Sequence, residues 1–109
     1  MKIDLETKFL PSKPKIAFNQ LGSGELVVLI HGIGGNKENW HSNIEMLSKK
    51  FNVVALDLRG YGESDDFTGP MNFFDVADDI YKLISYLGQK KCHVVGLSMG
   101  AQIALYFYK

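Results

Sequence analysis

The sequence predicts an α/β fold in which helices flank a mostly parallel sheet, and three observations support this prediction. Aliphatic-rich runs at residues 26–30, 51–56 and 92–95 are typical of strands that helices cover on both faces. Segments with helical periodicity lie between and after these runs. Glycine-containing or polar turns separate the two kinds of segment. Because alternating strands and helices build βαβ units, we expect a parallel sheet with right-handed crossovers.

Two short strands are predicted ahead of this alternation. Residues 3–9 partly alternate apolar and polar side chains, as a half-exposed strand does, before Pro11 and Pro14 interrupt the pattern. A second strand is predicted at residues 15–21 and ends at the glycine-containing turn 22–24. We expect these two strands to pair as an antiparallel edge of the sheet.

The first predicted helix follows the strand at residues 26–30 and the glycine-rich run after it. Asn36 is its predicted N-cap, because an asparagine side chain can accept a hydrogen bond from the first free N–H groups of a helix. Trp40, Ile44 and Leu47 then fall at positions i, i+4 and i+7. This spacing predicts an amphipathic helix whose apolar stripe faces the sheet.

The second predicted helix spans residues 72–87, between the second and third central strands. Its apolar residues form one stripe, and Gly88 is predicted to be the C′ residue that ends it. The third helix follows the last strand and continues to the end of the chain without a stop signal.

Residues 92–105 are predicted to form a strand, a sharp turn and a helix around a G-x-S-x-G motif, here Gly96, Ser98 and Gly100. Such a tight turn strains the backbone of its middle residue and lifts that side chain clear of the sheet. Glycine two positions before and two after removes Cβ atoms that would collide. The motif also occurs by chance in glycine-rich chains, with the serine as an ordinary loop hydroxyl. The flanking strand and helix favour the strained turn.

Three blocks of sequence together resemble the N-terminal half of an α/β-hydrolase-fold protein. They are the glycine-rich run at residues 31–35, the D-x-R-G-x-G-x-S run at 57–64 and the nucleophile elbow at 96–100, and they occur in the family's order. The resemblance covers nearly the whole chain. We therefore interpret residues 1–109 as a partial α/β-hydrolase domain that ends in the helix after the elbow. Ala101 departs from the second glycine that many relatives have there.

The resemblance implies roles for five residues. Ser98 would be the nucleophile that attacks an acyl carbonyl, and a base would have to activate it. The backbone N–H groups of Ile33 and Met99 would hold the oxyanion of the tetrahedral intermediate. His31 and Gly32 would form the oxyanion loop, with His31 orienting it and Gly32 allowing close approach. A serine at the apex argues against the dehalogenase and epoxide-hydrolase branches, whose nucleophile is a carboxylate, whereas cofactor-free perhydrolases share this elbow.

The acid and base of a serine triad are absent from the positions where the family has them. Both should follow the nucleophile, but no Asp, Glu or His occurs after Ser98. His93 would lie about 16 Å from Ser98 along an extended strand, and His41 is expected to face solvent. His31 and Asp57 end strands at the same sheet edge as Ser98. A Ser98–His31–Asp57 relay is therefore the one improvised triad that the sequence allows.

For five further residues, a structural role is a simpler interpretation than a catalytic or binding role. Asp57 and Arg59 are expected to form an ion pair that holds the loop after their strand. Met99 and Trp40 are expected to pack in the core rather than to line a substrate pocket. Cys92 lies in an apolar run and has no second cysteine with which to form a disulfide.

Composition and the remaining motifs argue against other functional classes. Lys and Arg together number 12 and so do Asp and Glu, which gives no electrostatic reason to expect a nucleic-acid or membrane partner. Gly32 and Gly34 lack the third glycine of a dinucleotide fingerprint, and there is no P-loop, so no cofactor is predicted and no metal site is assigned. The acidic N-terminal residues do not resemble a signal peptide. With a single cysteine, this predicts a cytoplasmic protein.

Two functional hypotheses follow. In the first, the protein is a serine hydrolase that acts on a small-molecule carboxylic ester, lactone or related acyl substrate through an acyl-enzyme on Ser98. The triad acid and His then lie on a C-terminal part outside this chain. In the second, the chain is a catalytically incompetent module. Its elbow strand has an unpaired apolar edge, and the module oligomerises or pairs with that C-terminal part through it.

Overall fold

The computed structural model describes residues 5–11, 15–66, 72–89 and 91–107. Within these ranges the chain forms five strands and three α-helices. The strands are β1 (Lys8–Leu10), β2 (Ile16–Leu21), β3 (Leu26–Ile30), β4 (Asn52–Leu56) and β5 (His93–Gly96). The helices are α1 (His41–Leu47), which a 3₁₀ turn at Lys37–Trp40 precedes, α2 (Phe73–Tyr86) and α3 (Met99–Phe107).

The five strands form one mixed sheet in the order β1-β2-β4-β3-β5. β3 pairs in parallel with both β4 and β5, whereas β2 pairs antiparallel with β1 and with β4. The α/β class and the antiparallel N-terminal strand pair are therefore confirmed. β1 is shorter than the predicted strand at 3–9, because residues 5–7 are not extended into the sheet and residues 1–4 lie outside the described ranges.

The parallel strands end level with one another. Ile30, the last residue of β3, lies opposite Leu56 of β4 and opposite Gly96 of β5. The segments that follow the three strands therefore leave the sheet at the same edge. Parallel α/β sheets place their binding sites at this carboxyl edge.

Helices cover both faces of the sheet. Because successive strand residues point to opposite faces, Val28 packs in the larger cluster with residues of α2 and α3, whereas Leu29 packs in the smaller cluster with Ile44 of α1. Each of these side chains is almost completely buried. Burying one such aliphatic side chain contributes about 1.5–3 kcal/mol, so both helical layers are anchored to the central strands.

The predicted boundaries of α2 are confirmed by the caps at its two ends. The side chain of Asn72 accepts a hydrogen bond from the N–H of Phe74 at the start of α2. Gly88 follows the helix with φ +74°, and its N–H donates to the carbonyl of Ser85 while the N–H of Gln89 donates to that of Ile84. These two bonds form a Schellman motif.

The first helix differs from its prediction in one respect. Asn36 does cap it, with its side chain accepting from the N–H of Glu38 while the side chain of Asn39 accepts from the N–H of Asn36. The first turn is 3₁₀ rather than α-helical, which is frequent at helix N-termini. The reciprocal bonds between Asn36 and Asn39 close a tight turn before α1 begins.

Some predicted features fall on residues that the structure does not describe. These are the break at Pro14 and the continuation of the last helix to Lys109. In the described ranges, no helix combines the length and the apolar character needed to cross a bilayer.

Candidate functional site

The turn between β5 and α3 holds Ser98 in a conformation that side chains rarely adopt. Ser98 has φ +57°, and it is the one non-glycine residue with positive φ among those described. This left-handed conformation costs roughly 1–2 kcal/mol for an L-residue. The side chain of Ser98 is exposed at the apex of the turn. The geometry is that of the sharp strand-to-helix elbow that the sequence predicts.

Two glycines make room for this elbow. A Cβ on Gly96 would collide with backbone atoms of Gly100 and Ala101, and a Cβ on Gly100 would collide with the carbonyl groups of Ile30 and His31. Both collisions involve backbone atoms, which cannot turn away as a flexible side chain can. The prediction that these glycines allow close approach is therefore confirmed.

The glycine-rich loop after β3, residues 31–35, lies directly against the elbow. The N–H of Leu97 donates to the carbonyl of Ile30 at 3.1 Å. A Cβ on Gly32 would stand 2.9 Å from the carbonyl oxygen of Leu97 and 3.3 Å from the Cβ of Ser98. The loop thus reaches the serine only because residue 32 has no side chain.

Two backbone amides, one in the elbow and one in the glycine-rich loop that lies against it, have no hydrogen-bond acceptor among the described residues. They belong to Met99, the first residue of α3, and to Ile33 in the glycine-rich loop. The first N–H groups of a helix have no partner within the helix and carry its positive dipole end. The side chain of Ile33 is 77% exposed, whereas that of Met99 is 5% exposed and packs in the core.

His31 cannot serve as the base for Ser98 in this arrangement. Its Nε2 accepts a hydrogen bond from the N–H of Leu58 at 3.0 Å, so the proton is on Nδ1, which donates to the carbonyl of Gly32 at 2.8 Å. Burial lowers the pKa of His31, although the bond to Gly32 and the charge of Asp57 oppose that shift. Because both ring nitrogens are bonded to the backbone, the improvised Ser98–His31–Asp57 relay is wrong.

The carboxylate of Asp57 is bound to other groups altogether. Its Oδ1 accepts from the backbone N–H of Lys37 at 2.7 Å. Its Oδ2 accepts from the Nζ of Lys37 at 3.1 Å and from the N–H of Glu63 at 2.9 Å. The ammonium group of Lys37 also donates to Glu63 Oε1 at 2.8 Å. Asp57 therefore joins the segment after β4 to the segment after β3.

Arg59 does not pair with Asp57, so the predicted ion pair between them is wrong. The Nε and Nη2 of Arg59 donate to Asp79 on α2 at 2.9 and 2.8 Å in a bidentate arrangement. Asp57 and Arg59 point to different partners because the chain turns at Leu58, which is buried in the core between them. Arg59 thus fastens the same segment to α2.

A family model described as the α/β-hydrolase fold matches residues 25–109, which is most of the chain. This chain belongs to the α/β-hydrolase-fold family. The expected resemblance is therefore confirmed at the level of the family and its fold.

Three relatives illustrate how this α/β-hydrolase compares with known proteins. A soluble epoxide hydrolase from Corynebacterium sp. is 40% identical over 89 residues, which are 79% of this chain and 30% of that protein. An (E)-2-((N-methylformamido)methylene)succinate hydrolase from Acinetobacter baylyi is 37% identical over 82 residues, or 75% of this chain and 31% of that protein. The crystal structure of epoxide hydrolase VrEH1 from Vigna radiata superposes with a TM-score of 0.89 at 27% identity, over 94% of this chain and 33% of that one.

This α/β-hydrolase chain thus spans about a third of the length of these three relatives. The hydroxyl group of Ser98 makes no hydrogen bond to any residue in the described ranges. Within the same ranges, no group of three or more His, Cys, Asp or Glu side chains is placed to hold a metal ion.

The other two histidines lie apart from the elbow. His41 does not face solvent as expected, since it is half-buried and its Nε2 lies 3.2 Å from the side-chain oxygen of Asn19. Asn19, itself buried on β2, supplies a polar partner there. His93 is exposed on β5, with its Nε2 2.8 Å from the carboxylate of Glu25. Trp40 packs against the smaller core cluster, as predicted.

The buried lysine at position 37 was not expected from the sequence, because lysine is almost never fully buried unless it is paired. One signal was present. Lys37 occupies the first turn after the N-cap Asn36, where the helix dipole disfavours a cation. A lysine in that position indicates a nearby carboxylate that offsets the dipole.

Proposed function

We propose that the protein is a serine hydrolase that cleaves a carboxylic ester, lactone or related acyl substrate through an acyl-enzyme on Ser98. The observation that supports this most is the strained, exposed Ser98 in an elbow whose own Met99 amide, and the Ile33 amide of the loop packed against it, donate to no described residue. Strain of this kind persists only where surrounding structure holds it, and it is concentrated at functional sites.

In the proposed reaction, the Oγ of Ser98 attacks the acyl carbonyl carbon while its proton passes to a general base. The carbonyl oxygen becomes an oxyanion that accepts hydrogen bonds from the N–H groups of Ile33 and Met99. Each such donor contributes about 3 kcal/mol of transition-state stabilisation. Collapse of the intermediate breaks the bond to the leaving alkoxide, which takes the proton from the base. Water then hydrolyses the acyl-enzyme by the same route.

The base and its orienting acid are proposed to lie outside this chain, on a C-terminal part of the protein. The family order places them after the nucleophile, and the chain spans only about a third of its relatives' length. His31 is bonded to the backbone through both nitrogens and does not replace them.

Similarity to epoxide hydrolases does not carry their activity over to this chain. Where the family uses a carboxylate nucleophile, that carboxylate stands at the elbow apex. Here the apex residue has a hydroxyl group. The side chain at position 98 therefore favours acyl transfer to serine over attack by a carboxylate.

A second candidate function is a non-catalytic assembly module, and one observation favours it. β5 lies at the end of the sheet order, and its residues Val95 and, just beyond it, Leu97 are exposed. An apolar strand at a sheet edge invites pairing with another strand. In this alternative, the strand serves association and the serine has no base.

Reaction with a fluorophosphonate distinguishes the two candidates. We expect stoichiometric labelling of the protein as isolated from its host, and loss of labelling in Ser98→Ala. Ser85→Ala is the matched control, since Ser85 is an exposed serine on α2, and it should label like the unsubstituted protein. Absence of labelling under conditions that modify ordinary serine esterases would contradict the hydrolase proposal.

The intact mass of the same sample under denaturing conditions shows whether a base is present. We expect a polypeptide heavier than the 12.2 kDa of residues 1–109, or a second polypeptide beside one of that mass. A single species near 12.2 kDa that does not label would favour the assembly module.

A further inference from the structure

The proposed reaction makes no use of Lys37, although this lysine is buried and bonded to two carboxylates, those of Asp57 and Glu63. Its side chain is 5% exposed and that of Asp57 is completely buried. Burial alone pulls the pKa of Lys37 down, but hydrogen bonds to Glu63 and Asp57 together with their charges outweigh it and leave the pKa above its ordinary value. Lys37 is therefore a buried cation whose charge is fully compensated.

Lys37 anchors the C-terminal end of the glycine-rich loop at residues 31–35, which is the oxyanion loop of the proposed reaction. Both its backbone N–H and its ammonium group bind the same carboxylate, so Asp57 fixes the position and the direction of the chain at residue 37. The other end is anchored by His31, whose ring binds the N–H of Leu58. Asp57 and Leu58 are consecutive residues, so one short segment after β4 holds both ends of the loop.

Among the described residues, one backbone hydrogen bond lies within the part of the loop between these anchors. Gly34 has φ +77° and Gly35 donates to the carbonyl of Gly32 at 3.1 Å. Glycine is the least restrained residue, and Ile33 lies within this stretch with its side chain exposed. The position of the Ile33 amide therefore depends on the anchors as well as on the bond between Gly35 and Gly32.

We propose that Lys37 is a positioning residue that, through Asp57, holds the N–H of Ile33 where the oxyanion of the proposed serine hydrolase forms. The inference rests on that proposed function and adds a residue to it. Lys37 itself does not touch the substrate. A loop displaced by about 1 Å can reduce the rate of a reaction about 100-fold, because oxyanion donors act on the transition state rather than on the bound substrate.

The pair Arg59–Asp79 provides a matched control. Its carboxylate is also buried, its arginine belongs to the same segment after β4, and its bidentate bonds are as short as those of Lys37. It fastens that segment to α2 and not to the oxyanion loop. Because the N–H of Asp57 binds the carbonyl of Ala17 on β2 independently of Arg59, breaking the Arg59–Asp79 pair should reduce stability without displacing Ile33.

The test compares fluorophosphonate reaction rates in the protein as isolated, at saturating and limiting probe. In this reaction the Ser98 Oγ–P bond forms, the P–F bond breaks, fluoride leaves and the serine proton passes to the base. We expect Lys37→Met to lower the maximal inactivation rate about 10- to 100-fold while the probe concentration at half-maximal rate stays within about twofold. Lys37→Arg should recover most of the rate, and Arg59→Met should stay within about twofold of it.

Amide hydrogen exchange gives a second readout that does not need catalysis. Lys37→Met should accelerate exchange at residues 32–36 relative to Arg59→Met. If Lys37→Met does not fold, Lys37→Gln takes its place, since its side chain is polar and does not set an apolar group beside the buried carboxylate of Asp57. Equal rate losses in the Lys37 and Arg59 variants, or unchanged exchange in the loop, would overturn the proposal. If the unsubstituted protein does not label, the hydrolase assignment fails and the exchange result alone decides whether Lys37 positions the loop.

Discussion

Replacing Gly100 by alanine should damage the elbow and the stability of the sheet together. An alanine Cβ would lie 2.8 Å from the carbonyl oxygen of His31 and closer still to that of Ile30. The contact to His31 alone is 0.6 Å short of the 3.4 Å at which ordinary van der Waals contact begins. Because both partners are backbone atoms, α3 must move away from β3 by at least this amount.

The cost of that movement follows from the packing of α3. Overpacking of this kind typically destabilises by about 1–3 kcal/mol. Ser98 and the Met99 amide sit at the start of α3 and move with it, so the rate of fluorophosphonate labelling should fall by about tenfold or more. Urea unfolding measures the first effect, with the fluorescence of Trp40, the single tryptophan of the chain, as the signal.

Gly88→Ala separates stability from geometry at the elbow. Gly88 has φ +74° and open space where a Cβ would stand, so alanine there should cost about 1–2 kcal/mol through the backbone alone. Its labelling rate should not change. A Gly100→Ala protein with an unchanged urea midpoint and the native labelling rate would refute the reasoning, because it would show that a Cβ at residue 100 fits between α3 and β3 without moving the helix.

Two further predictions concern the strain at Ser98 and the burial of His31. Ser98→Gly should raise the free energy of unfolding by about 1 kcal/mol, because glycine adopts the positive φ without strain. The control Ser85→Gly in α2 should lower the free energy of unfolding by roughly 0.5 kcal/mol. A destabilised Ser98→Gly protein would show that the turn is unstrained. Burial lowers the pKa of His31 in the native state below its ordinary value of 6.5. When the pH falls below 6.5, His31 is therefore protonated in the unfolded chain before it is protonated in the native protein. Stability should therefore decline as the pH falls from 6.5, by at most about 1.4 kcal/mol per pH unit. In urea titrations between pH 7 and pH 5, His31→Gln should flatten this decline. An equal decline in both proteins would assign it to another group.

The sequence was sufficient where local chemistry decides the structure. The elbow at Ser98, the cap at Asn36 and the helix end at Gly88 each depend on a residue type whose backbone or side-chain preference is specific. The central strands were equally predictable, because continuous aliphatic runs have few other uses in an α/β protein.

The sequence was insufficient where the choice of a partner depends on tertiary position. Asp57 and Arg59 are two residues apart and of opposite charge, yet each binds a residue about 20 positions away, because the chain begins a turn at Leu58. Which carboxylate would receive Lys37 likewise depends on how the loops after β3 and β4 meet. The sheet order, which places β3 between β4 and β5, was not predicted either.

The pairing of β5 with β3 determines when, during folding, the turn around Ser98 can form. Val27 pairs with His93, so the contacts that hold the elbow bridge more than half of the chain. Pairings between such distant segments require loop closure before they are stabilised. A nascent or partly unfolded chain therefore carries Ser98 in a relaxed backbone, and the residue acquires its strained conformation only once β3 is in place to receive β5.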